Sequence, residues 1–187
     1  MKKGTFFMLK LVDFLVLEQK DVLDRWFDLI LGTYAENTAV LWKKQKDPFA
    51  NPVRHKFETG MRGIILALAA CGEKMPDVAV FTPLLDEIVR VRAVQDFTPS
   101  QATAFVFLLK KAVREALWGQ ITEHDLYVEL LALESSIDVL ALFAFDIYCQ
   151  CREKIVELRI NQIRKQYDRL LKRANLLCDS PAEGEEP

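Results

Sequence analysis

Histidine is nearly missing from this sequence, with 2 residues in 187, and glycine is scarce at 7. His55 and His124 stand apart, with no His-x-x-x-His pair, no Cys-x-x-Cys pair and no carboxylate at ligand spacing, so a metal or haem centre would lack its usual donors. Both histidines are expected near the beginnings of helices, where the positive dipole end disfavours imidazolium. A surface or capping role is the better reading, and no cofactor is expected. No glycine-rich loop cradles a phosphate and no Gly-x-Ser-x-Gly elbow presents a nucleophile, so catalysis is disfavoured.

Long apolar runs are missing too. Beyond the N terminus the apolar runs, such as Val139 to Phe145, fall far short of the roughly 20 residues a membrane helix needs, so no membrane insertion is expected. The start "MKKGTFFMLKLVDFLV" imitates a secretory leader, but Lys10 and Asp13 interrupt it and no small-residue cleavage site follows; Met8 is a second candidate start. Four cysteines in a chain of this size do not make a disulfide framework. The expectation is a cytoplasmic protein with reduced thiols. Nor is one sign of charge in excess: 25 basic residues face 27 acidic ones, for a net charge of −2. Locally the balance differs, at +5 between Arg152 and Arg173 and −4 from Ala174 onward.

What is present is amphipathic helix. Apolar residues make up 51% of the chain, enough for one core, and few glycines with no alternating stretches argue against a sheet. The expected fold is all-α. Leu23, Trp26, Phe27, Ile30 and Leu31 mark a helix ending near Gly32, a residue suited to a left-handed cap. Further helices are expected over about 36–45, 53–71 and 78–94. Thr98, Pro99 and Gln101 form a capping box with proline at the first helical position. That helix is expected to end at "WGQ", and Thr122 with Asp125 to start the next. From Leu126 to Tyr148 this last helix is apolar almost all round, as if enclosed by its neighbours.

Between the second and third of these helices lies "DPFANPVRHKFETG", Asp47 to Gly60. Pro48 disfavours helical geometry at Asp47, and Pro52 does so at Asn51 before fitting the first turn of the next helix, which Asn51 is placed to cap. Pro48, Asn51 and Pro52 thus read as a structural turn, architecture rather than catalysis.

Val156, Ile160, Ile163, Tyr167, Leu170, Ala174 and Leu177 are spaced 4, 3, 4, 3, 4, 3, a heptad seam about three repeats long. The expected organisation is a helical domain over 1–151, a projecting coiled-coil-like helix over 152–178 and a disordered acidic tail over 179–187. A helix lying back along its own domain is the alternative. Basic residues interleave with the seam instead of preceding it, as on a solvated coiled-coil face, so no nucleic-acid binding is expected. Cys149 continues the seam backward by one heptad and reads as a small packing residue, with a redox switch as the alternative. Glu134 and Asp138, one turn apart on the enclosed helix, could line a sensing pocket, or sit on a solvated stripe or pair with Arg62 or Arg114.

Four segments, "DRWFDLILGTYAENTAVLWKKQKDPFANPV", "VRVRAVQDFTPSQATAFVFLLK", "IDVLALFAFDIY" and "CREKIVELRINQIR", resemble the N-terminal domain of the RsbR and RsbRD type, the bacterial stressosome co-antagonists, in a version that also occurs as a short stand-alone protein. The resemblance covers about Leu11 to Arg164. It implies a globin-like helical bundle without haem, a homodimer, and a last helix projecting toward an output domain, commonly a STAS domain or a kinase. Two features depart from the pattern: the sequence stops where the output domain should begin, and Arg54 stands where glycine is expected after Asn-Pro-Val. The reading is a sensor or regulatory domain signalling to an unknown protein partner. Its rivals are a structural accessory or assembly protein, which stand-alone relatives link to sulfur-respiration complexes, and a small-ligand or haem-binding globin.

Overall fold

The computed structural model describes residues 10–44, 51–72, 74–95 and 97–173. Among them the chain is all-α, with seven helices and no strand: α1 (Leu11–Leu17), α2 (Gln19–Leu31), α3 (Glu36–Lys44), α4 (Pro52–Cys71), α5 (Val78–Val94), α6 (Pro99–Glu123) and α7 (Tyr127–Arg173). The chain divides into two units between Cys151 and Arg152, inside α7. Pro48 and the acidic tail over 179–187 lie outside the described residues.

In the first unit two helix pairs set the core, α2 against α6 and α4 against α5, with α1 packed on α2, α4 and α6. Each helix brings an apolar stripe at the helical period, such as Phe57, Met61, Ile64, Ile65 and Leu68 on α4. Every such fully buried side chain contributes about 1.5–3 kcal/mol. Trp26 on α2 anchors the first pair: its ring stacks on Phe105 of α6 and its indole N–H donates to the Phe105 carbonyl at 2.7 Å. The second pair approaches through glycine. A Cβ on Gly60 would lie 2.9 Å from the Leu84 carbonyl oxygen, and one on Gly63 would lie 2.6 Å from Leu84 Cδ2. α7 is tied to its neighbours in this unit by buried residues such as Leu133, Ile137, Leu140 and Ala144. The Tyr148 hydroxyl donates to the Phe97 carbonyl at 3.1 Å, and Glu129 accepts the Leu11 N–H at the start of α1 at 2.5 Å.

Four expectations are corrected. α2 does end at Gly32, but in right-handed geometry, with φ −61° and ψ −14°, so no left-handed cap is used there. α6 does not stop at "WGQ": it passes through Gly119 to Glu123, and Thr122 lies inside it, its hydroxyl donating to the Trp118 and Gly119 carbonyls. The break comes at Asp125, at φ 54°. His124 consequently sits at the C-terminal end of α6, stacked 5.2 Å from Phe14, and not at a helix start. Finally, α7 between 126 and 148 is not enclosed all round. Val128, Leu131, Leu142 and Phe145 are exposed, Val128 at 79%.

Candidate functional site

The second unit is the latter part of α7 as far as it is described. Val156, Ile160, Ile163, Tyr167 and Leu170 are all exposed there, from 45% at Ile160 to 63% at Tyr167. Leu158 and Leu171, off the seam, are exposed as well. Ala174 and Leu177 lie outside the described residues. Beside the seam the helix carries an ion pair of its own, Lys154 donating to Glu157 at 2.8 Å; that exposed contact lowers the Glu157 carboxyl below its ordinary range.

Glu134 and Asp138 face cations of α6. Lys110 Nζ lies 2.6 Å from Asp138, and Arg114 Nε lies 3.0 Å from Glu134 while its N–H is aimed at the Lys110 carbonyl. Each acid thus has its own counter-charge one turn from the next, and their mutual repulsion is relieved. A cleft of about 380 Å³ is bordered by Leu11, Cys71, Lys74, Glu129 and Leu133, not by Glu134 or Asp138.

The connector before α4 is built from its cap. The Asn51 side chain accepts the Arg54 N–H at 3.1 Å and Pro52 occupies the first helical turn. Arg54 lies on ordinary helical backbone, since the positive φ angles among the described residues belong to Asp125 and Gly72. Its guanidinium donates to Glu58 at 2.7 Å and to the Trp42 carbonyl, and lies over the Phe27 ring at 4.9 Å. The side chain that replaces the expected glycine therefore ties α4 to α2 and α3.

One polar residue of the core carries no role in the sequence reading. Arg92 on α5 is 0% exposed. Its Nη2 donates to Thr33 Oγ1 at 3.2 Å and to the Gln101 carbonyl at 2.9 Å, whereas Nε and Nη1 have no hydrogen-bond acceptor among the described residues. Aromatic rings surround it: its Cζ lies 4.4 Å from the Phe97 centroid, 5.1 Å from Tyr34 and 5.9 Å from Phe105. No carboxylate among the described residues pairs with it. Burial lowers its pKa from the ordinary arginine value, against which the nearby Tyr34 hydroxyl acts weakly. That hydroxyl is itself buried, with no acceptor for its proton among the described residues, and burial raises its pKa while the Arg92 guanidinium opposes the rise. The sequence did hold a signal: Phe81, Leu85, Ile88 and Arg92 share the 4, 3, 4 spacing of the buried face of α5.

Among the described residues no group of three or more His, Cys, Asp and Glu side chains could hold a metal ion. None of the described helices is long and apolar enough to cross a membrane. Cys149 and Cys151 are half-buried free thiols. Burial, followed by the nearby Asp86, raises the Cys151 pKa, with Arg90 opposing.

No curated protein and no solved structure matches the chain. One family model does, over residues 20–163, from the second residue of α2 into the exposed half of α7; it describes the N-terminal domain of the RsbT co-antagonist protein rsbRD. That span takes in the Trp26 anchor, the Asn51 cap, the buried Arg92 and the capping box of α6, and the chain belongs to this family of stress-signalling regulatory, rather than catalytic, domains.

Proposed function

We propose that this chain is a non-enzymatic, haem-free regulatory domain with a globin-like layout, which acts in the cytoplasm by forming a homodimer and docking a protein partner through the exposed apolar seam of α7. The observation that supports this most directly is the row Val156, Ile160, Ile163, Tyr167 and Leu170, solvent-exposed at heptad spacing in a single chain. An apolar stripe of this kind gains by being covered, and a second copy offers the matching register. The seam is short and Tyr167 is a weak seam residue, so it would not hold two chains by itself. Exposed Leu131, Leu142 and Phe145 in the first unit provide further apolar area for the same purpose. In a parallel pair Arg152 would face Glu157 of the second copy and Arg159 would face Arg164. Such exposed pairs are each worth about 0–1 kcal/mol, so the apolar contacts decide the outcome.

The test is Ile160→Asp with Ile163→Asp in the full chain. Sedimentation should show a lower average mass, capture of the native partner should fall, and circular dichroism should remain helical. Unchanged mass together with unchanged capture would remove the seam as an interface. The same exposed stripe also suits an accessory subunit of a larger complex. In that case the chain would co-purify in fixed stoichiometry with one assembly and would not be released by a change of conditions.

A further inference from the structure

We propose that the buried face of Arg92 is a binding site for a small anion, a carboxylate or an inorganic oxyanion, held by guanidinium N–H groups and the Tyr34 hydroxyl. The inference starts from a charge that no described residue counters. An arginine side chain stays protonated in proteins and offers five N–H bonds. In Arg92 the two on Nη2 are used by neutral acceptors, Thr33 Oγ1 and the Gln101 carbonyl, while Nε and Nη1 have none among the described residues. A fully buried cation in that condition is among the least tolerable arrangements in a core unless something anionic completes it.

Nothing around it among the described residues does so. Phe97, Tyr34 and Phe105 present rings, which attract a cation electrostatically but supply neither an in-plane acceptor nor a negative charge. The Gln101 carbonyl lies in the first turn of α6, a 25-residue helix whose N-terminal end is itself partially positive. Cation and helix end thus ask for the same partner. Tyr34 Oη is buried beside the guanidinium, and among the described residues nothing accepts its proton, so it can donate to an anion seated there. Three segments meet at this point, the turn after α2 through Thr33 and Tyr34, α5 through Arg92, and the start of α6 through Gln101. An occupant would therefore link all three. This site is independent of the α7 seam and stands or falls separately from it.

The experiment is thermal unfolding of the full chain at constant ionic strength, with potassium acetate or potassium phosphate replacing potassium chloride stepwise. Saturable stabilisation by acetate assigns a carboxylate site, and by phosphate an oxyanion site. The Nε–H resonance of Arg92 should move in step with either. Tyr34→Phe, which removes one donor and leaves the ring, should weaken the apparent affinity about tenfold, and Arg92→Met should abolish the response. If Arg92→Met does not fold, Tyr34→Phe and the resonance decide alone. Asp96 adjoins in sequence and lies outside the described residues. A wild-type chain indifferent to both anions, whether or not Asp96→Asn acquires a response, would overturn the proposal.

Discussion

Gly60 and Gly119 both lie inside helices, yet they answer to opposite constraints. At Gly60 the Leu84 carbonyl oxygen stands 2.9 Å from where a Cβ would be, so Gly60→Ala must push α5 away from α4. The expected loss is about 1–3 kcal/mol by denaturant unfolding. At Gly119 nothing lies within 4 Å, and the residue is inside α6, one turn before its C-terminal end at Glu123. Gly119→Ala should therefore stabilise by about 0.5–1 kcal/mol in the same measurement. A third expectation concerns Cys151, whose thiol is held protonated by burial and by Asp86. Only the thiolate is nucleophilic, so its alkylation by iodoacetamide near pH 8 should be slower in the folded chain than in the unfolded one, and should accelerate as pH rises. These distinctions were not legible in the sequence, where all glycines look alike. Arg92 was visible only as an arginine at a core spacing, and what made it notable, the rings and the missing acid, comes from segments distant in sequence.

The helix starts capped by Asn51 and Thr98 were legible in the sequence, whereas the start expected at Thr122 falls inside α6. Thr98, Pro99 and Gln101 form in place the capping box their order implies, with Thr98 N–H donating to Gln101 Oε1 at 3.0 Å and Gln101 N–H returning to Thr98 Oγ1 at 3.4 Å. Thr98→Ala should cost about 1 kcal/mol, read from the unfolding midpoint. A true start is written in side chains that bond locally, but a threonine can also bond back along its own helix, as Thr122 does to the Trp118 and Gly119 carbonyls. A stop depends on which residue takes the left-handed turn, and that is settled by the packing beyond it. Gly72 takes it at φ 60° and Asp125 at φ 54°, whereas Gly32 does not and Gly119 simply continues α6. Pro83 makes the same point from the other side. It lies inside α5 and withholds one N–H from the ladder, yet the helix persists because Phe81, Leu85 and Ile88 are buried on either side of it. The face of α7 departs from expectation for a related reason: Leu, Val and Phe at most positions suggest enclosure, but only neighbours can enclose.

For the whole molecule, the proposed association predicts a graded response. Ile160→Asp with Ile163→Asp should weaken self-association only in part, and adding Leu131→Asp and Leu142→Asp, both at exposed positions, should complete the loss without unfolding the core. Sedimentation of the two variants beside the wild type checks this; equal masses for all three would refute it. Purified protein is further expected to show no Soret band, because His55 and His124 are both exposed and neither reaches the core where a proximal ligand would have to sit. The all-α class and the long C-terminal helix were legible from periodicity alone. The partner surface was legible only as a pattern, since spacing names a stripe but not what covers it.

The 3 tryptophans give the protein a built-in optical gauge. Trp26 is fully buried with its N–H bonded to a carbonyl, and Trp42 is enclosed by Phe27, Tyr34 and Phe57, so both should emit at short wavelength and resist soluble quenchers. Trp118 is 52% exposed on α6, edge-on to Tyr127 at 6.3 Å, and should supply the red-shifted, iodide-accessible part of the emission. Any body that settles over that end of α6 and α7 will therefore dim the quenchable fraction while leaving the blue fraction constant, and dilution will restore it, so unlabelled protein reports its own encounters in a cuvette.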